Sequence, residues 1–189
     1  MKKIIIPILA SLSIACGSSE NEQDSIEMAK EQNRSIDSAK STSPSDLSAE
    51  HNFLVEAYSG TKMEIQLGNY AAANAGSSAV KDFGKMMVQD HKKADSAITI
   101  IARVKAIVIP NVPGNDHQQH IEELTRKKGA EFDKDYMSMM VKDHEEDIEK
   151  FEEASKTATD EDIREFAAKT LPVLRKHLEI AKKIKDGLK

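Results

Sequence analysis

The nine residues Phe83-Gly84-Lys85-Met86-Met87-Val88-Gln89-Asp90-His91 return as Tyr136-Met137-Ser138-Met139-Met140-Val141-Lys142-Asp143-His144, with five of the nine positions identical. Apolar residues recur here at helical spacing. At about 100° per residue, Asp90 falls within roughly 20° of Phe83 and His91 about 80° from it, on the flank of the same face. Asp143 and His144 repeat both placements relative to Tyr136. The repeat therefore predicts two amphipathic helices that each turn a carboxylate and an imidazole toward a core.

The rest of the chain supports an all-α fold. Trp is absent and aromatics are 4% of 189 residues, while Ala, Met, Lys, Glu and Asp are plentiful and no strand-like alternation is sustained. Net charge is -5 with both signs interspersed, and Arg126-Lys127-Lys128 is the one basic cluster that stands out, which argues against a nucleic-acid partner. The single cysteine, Cys16, excludes a disulfide framework and a cysteine metal site.

Lys2 and Lys3 precede an apolar run over 4–14, closed by Ala15-Cys16-Gly17. Residues 1–15 read as a signal peptide, too short to span a bilayer. Cys16 after a small residue resembles the lipobox of bacterial lipoproteins, although Ser13 stands where Leu is usual. Lipidation of Cys16 would make the protein an envelope lipoprotein, expected at the outer membrane facing the periplasm, with the membrane as partner through this anchor. Ser13-Ile14-Ala15 also suits ordinary cleavage, which would leave the protein secreted or periplasmic. Residues 16–46 are polar with isolated apolar residues and read as a disordered tether. Residues 47–188 form the folded domain.

Within it, helices are expected over about 49–75, 79–108, 130–157 and, after a cap at Asp160, to about 185. The turn Gly76-Ser77-Ser78 ends the first and caps the second. Pro110, Pro113 and Gly114 impose a long connection with a short extra helix over about 117–128. Short turns force antiparallel neighbours, so the expected architecture is an antiparallel four-helix bundle. Pro172 should bend the last helix.

Counting residues from the two turns at 1.5 Å per residue brings Glu64 level with Asp90 and His91, and His144 level with His177. Four helices then project polar groups inward at one height. The expected metal ligands are Glu64, Asp90, His91, His144 and His177, supported by Asp143, Met87 and Met140. Imidazole and carboxylate suit zinc, iron, manganese, nickel or copper, and the thioethers at i,i+4 from His91 and His144 would add a preference for copper. A metal-free buried polar network accounts for the same residues, and both readings stay open. His51, His117 and His120 are expected to be solvated. No Ser-His-Asp order, phosphate loop or dinucleotide fingerprint is present, so metal-dependent redox chemistry is the one enzymatic route retained.

Several segments carry a resemblance in order: Phe53-Leu54, Glu64 with Leu67-Gly68, Val80-Lys81-Asp82-Phe83 with Met87-Val88-Gln89-Asp90-His91, Gly129-Ala130-Glu131-Phe132, Met140-Val141 with His144, and Thr170-Leu171-Pro172 with His177-Leu178. Over about 49–181 the chain is similar to the exported bacterial family termed domain of unknown function 4142. That resemblance implies a ferritin-like fold and export, and no reaction. Ferritin-like di-iron bundles place Glu-x-x-His on two helices. Here Asp and His are adjacent and Leu174 stands three before His177, a pattern better suited to one ion or to a storage or sensing site. A copy in the envelope would buffer metal or oxidants, or act as a non-enzymatic interaction lipoprotein.

Overall fold

The computed structural model describes residues 24–40 and 44–188. The expected signal peptide and Cys16 lie outside the described residues. Among the described residues six helices follow one another: α1 (Ser25–Lys40), α2 (Pro44–Asn74), α3 (Ser78–Lys105), α4 (Asn115–Thr125), α5 (Gly129–Thr157) and α6 (Glu161–Gly187). Among the described residues there is no strand, and none of the helices is long and apolar enough to cross a membrane.

The domain is a helical bundle built from two hairpins, α2 on α3 and α5 on α6, with α3 against α6 and α2 against α5 closing it. Glycine sets the first hairpin. A Cβ at Gly84 would stand 2.7 Å from the Gly68 carbonyl oxygen, and one at Gly68 would stand 2.9 Å from that of Gly84. Only hydrogen at these positions lets the two backbones come so close.

Each hairpin turn is held by a buried carboxylate from the other hairpin. Asp133 of α5 accepts from Gly76 N (2.9 Å) and Ser77 N (2.6 Å) at the start of α3. Glu50 of α2 accepts from the Thr159 hydroxyl (2.7 Å) and from Asp160 N (3.1 Å) before α6. Ser77 occupies the N-cap position of α3, but its side chain makes no capping bond, so the cap expected from the turn residues is not formed and Asp133 holds the two amides just ahead of the helix. Asp160 caps α6 as its sequence predicts, accepting from Asp162 N and Ile163 N.

The segment 25–40 departs from the tether expected of its composition. It is helical, and it docks on α2 by polar ties more than by apolar area. Asn33 donates to the Val108 carbonyl (2.9 Å) and accepts from Val108 N (2.7 Å), and Asp37 lies 3.0 Å from His51 Nδ1. Ala29 is its one fully buried apolar residue. A hydropathy count sees too little apolar surface to order this segment, because the ordering interactions are hydrogen bonds to the connection between α3 and α4.

Two apolar clusters fill the bundle. One gathers Met63, Leu67, Phe83, Met87, Phe132, Tyr136 and Met140, and the other Leu54, Ile98, Phe151, Ile163, Phe166 and Leu174. Between them lies a polar layer.

Candidate metal centre

Each long helix contributes one buried polar side chain to that layer: Glu64 from α2, His91 from α3, His144 from α5 and His177 from α6. Their exposures are 1%, 5%, 0% and 0%. The amphipathic pattern that buries Met87 and Met140 carries the histidines four residues later onto nearly the same face, so the fold has no means of exposing them. Ring centroids of the three imidazoles are 5.4–6.0 Å apart. One nitrogen from each lies within 4.8 Å of the others, so the three together could hold a metal ion.

The hydrogen bonds fix which nitrogens face inward. His144 Nδ1 is 2.9 Å from the Met140 carbonyl oxygen, which only accepts, so Nδ1 carries the proton and Nε2 the lone pair. His177 Nε2 lies 3.2 Å from Asp90 Oδ2. Partial burial raises the Asp90 pKa, but the hydrogen bonds from Lys93 and His177 outweigh it, and the net shift is downward. Asp90 is thus an ionised acceptor, Nε2 is its donor, and the lone pair of His177 is on Nδ1. Those two lone-pair atoms, His144 Nε2 and His177 Nδ1, stand 3.3 Å apart.

Neither ring relieves the conflict by taking a second proton at neutral pH. Burial, then the proximity of His91 and His177, pulls the His144 pKa down to about 3. Burial, then His91, pulls that of His177 to about 4 against the opposing effect of Asp90. His91 falls to about 4, again through burial, with the charges of Asp147 and Asp90 opposing. Both His91 nitrogens are buried without a hydrogen-bond partner. Its Nδ1 is 2.8 Å from Glu64 Oε2, close enough for a hydrogen bond but not in the geometry of one. Glu64 Oε1, 3.5 Å from His144 Nδ1, is likewise without a partner. Burial raises the Glu64 pKa to about 8.

Asp90, expected among the ligands, lies at the edge of the layer with its side chain 21% exposed, bonded to Lys93 (2.7 Å) and His177. Asp143, expected in support, has one carboxylate oxygen grouped with Glu64 and His144 within 4.8 Å, while its Oδ2 is buried without a partner. Met87 and Met140 are packed in the apolar core, and the polar contact Met140 makes with the site is through its carbonyl. Asp147 was not singled out from the sequence. Its pKa rises to about 7 through burial and the nearby Glu64, and its position three residues after His144 is the signal that would have found it. The Tyr136 hydroxyl is also buried without a partner, and burial, then Glu64 and Asp143, raise its pKa.

Two of the remaining histidines are not solvated as expected. His117 Nδ1 and Ser59 Oγ are hydrogen-bonded at 2.6 Å, and Ser59 Oγ accepts from Gly114 N. His51 is paired with Asp37 with its side chain 12% exposed, whereas His120 is exposed. Both corrections come from docking on α2, of α1 over His51 and of α4 with its own His117 against Ser59, which a single-helix wheel does not contain.

No curated protein and no solved structure matches the chain. Residues 35–184 match the family described as a domain of unknown function (DUF4142). That span runs from within α1 to within α6 and includes all four residues of the polar layer, and the chain belongs to this family.

Proposed function

We propose that this protein is an exported, lipid-tethered four-helix bundle of ferritin-like arrangement that binds one transition-metal ion through His91, His144 and His177, with Glu64 as carboxylate ligand. The carrying observation is the 3.3 Å separation of His144 Nε2 and His177 Nδ1, two nitrogens whose rings are each committed as donors on the far side. Two nitrogens bound at ~2.0–2.1 Å to a tetrahedral ion lie about 3.3–3.4 Å apart. The alternative without metal turns His177 to donate from Nδ1, which sets its Nε2 lone pair against the ionised Asp90. Asp90 and the Met140 carbonyl then act as the groups that orient the ligating rings, as such partners do in metal sites generally.

Three imidazoles and one carboxylate suit zinc, copper or iron better than magnesium or calcium. The donor set and its burial fit metal binding or buffering in the cell envelope. Tethering is expected through Cys16, and Cys16→Ala should abolish incorporation of labelled fatty acid.

Elemental analysis of the untagged full chain, as purified and after dialysis against candidate ions, tests the reading beside His91→Ala, His144→Ala and His177→Ala. One ion per chain, lost in each variant, is expected. A parent chain that neither retains nor rebinds any ion sinks it and leaves a metal-free polar layer, for which binding partners become the question.

A further inference from the structure

The histidine site uses one face of Glu64. On the other side, Glu64 Oε1 is buried without a hydrogen-bond partner, and so is Asp143 Oδ2. Ligand atoms of Glu64, Asp143 and His144 lie within 4.8 Å of one another, and the His144 nitrogen nearest Glu64 Oε1, at 3.5 Å, already donates to the Met140 carbonyl. What remains there is oxygen. Asp147 follows Asp143 by one turn on α5, and both line the wall of a pocket of about 340 Å³ between α1, α2, α4 and α5. Seven carboxylates line this pocket against two lysines, Lys30 and Lys150. The histidines are reached from elsewhere: Asp90, His91 and His177 line a separate groove of about 480 Å³ between α3 and α6.

From this geometry we propose a second cation site, formed by Glu64 and Asp143 with Asp147 one turn further along the pocket wall, for a hard divalent ion of the manganese class. It is adjacent to the histidine site and depends on that reading only through the shared Glu64 carboxylate. Carboxylate oxygens with water suit manganese or magnesium, whereas imidazole selects later ions, so the two positions sort ions by donor type. The excess of carboxylates along the pocket wall raises the local cation concentration and favours entry from this side. Two buried oxygens without partners, one on Glu64 and one on Asp143, distinguish this from a solvated acidic cluster, in which water satisfies every lone pair.

The test uses the full chain, stripped with chelator, reloaded with zinc and titrated with Mn²⁺ while the electron paramagnetic resonance signal of free Mn²⁺ is followed. Uptake of one Mn²⁺ per zinc-loaded chain at micromolar concentration is expected. Asp143→Asn, nearly isosteric, should weaken that uptake by roughly tenfold or more with zinc content unchanged. Asp147→Asn should act in the same direction and serves if Asp143→Asn lowers helical content by circular dichroism. A zinc-loaded chain that leaves Mn²⁺ free up to millimolar concentration overturns the site, as do two Asn variants that bind like the parent. The two readings fail separately. A chain that holds no zinc, copper or iron yet binds Mn²⁺ through Asp143 upholds this site and sinks the histidine one, and zinc without Mn²⁺ does the reverse.

Discussion

Glu64 takes a proton or keeps a charge according to what stands beside it. A carboxyl whose pKa is higher folded than unfolded binds a proton on folding, so its contribution falls as pH rises from its unfolded value through its folded one. For Glu64 that window runs from 4.5 to about 8, and for Asp147 from 3.8 to about 7; Asp143 acts in the same direction. The three histidines act oppositely, since their lowered values make stability rise with pH, but their windows close at 6.5. Between pH 6.5 and 8 the carboxyls prevail. The chelator-treated chain should therefore lose about 1–2 kcal/mol of unfolding free energy over this range, and Glu64→Gln should make the slope shallower. Urea unfolding at both pH values measures it, and a rise in stability would contradict the burial of Glu64. Asp90 offers a second test at this scale. Asp90→Ala removes the acceptor that holds His177 and leaves the ligands in place, so metal affinity should fall roughly 10- to 100-fold in a chelator competition, with helical content kept.

Helical periodicity placed Glu64, His91, His144 and His177 on inward faces, because a wheel fixes direction to within a few tens of degrees. It did not separate Asp90 from Asp143. Both carry the same relation to their repeat, yet Asp90 is drawn to the edge by Lys93 and His177 while Asp143 stands half-buried beside Glu64, its Oδ2 covered. That difference depends on which neighbouring helix each one meets.

Among the elements, the α2–α3 hairpin is the most sharply determined, since Gly68 and Gly84 set how near the two axes come. Alanine is the better helix former by about 1 kcal/mol, so propensity alone would favour Gly84→Ala. The backbone contact reverses the sign. A methyl group 2.7 Å from the Gly68 carbonyl and 2.8 Å from the Ala71 Cβ meets atoms that move only with their helix. A net loss of about 1–3 kcal/mol is expected in urea unfolding. The exchange of carboxylates between hairpins is a second determinant at this scale. Asp133 and Glu50 are distant in sequence from the turns they hold, so no reading of the turn residues alone could reveal them.

For the molecule as a whole, α1 divides what is intrinsic to the bundle from what is added to it. Asn33 ties this helix to Val108 by two hydrogen bonds, so Asn33→Ala should abolish amide-exchange protection over 25–40 and leave α3, α5 and α6 protected. Loss of protection throughout would show that α1 is part of the core. The expected binding of zinc gives a complementary global readout: at about 100 times Kd it should raise the unfolding free energy by about 2.7 kcal/mol, and His144→Ala should remove that gain.

By itself the sequence determined α2 to α6, their order, the two hairpins and the height at which four polar side chains meet, because helical rise and period are local properties of the chain. Only the tertiary structure decided that the layer divides the core in two, that His144 and His177 face each other with their far nitrogens engaged, that Asp143 stands beside Glu64, and that a polar segment becomes α1. Those outcomes depend on rotation and side-chain torsion of one helix relative to another. Such relations are set by packing between residues far apart in the chain, and no local pattern encodes them.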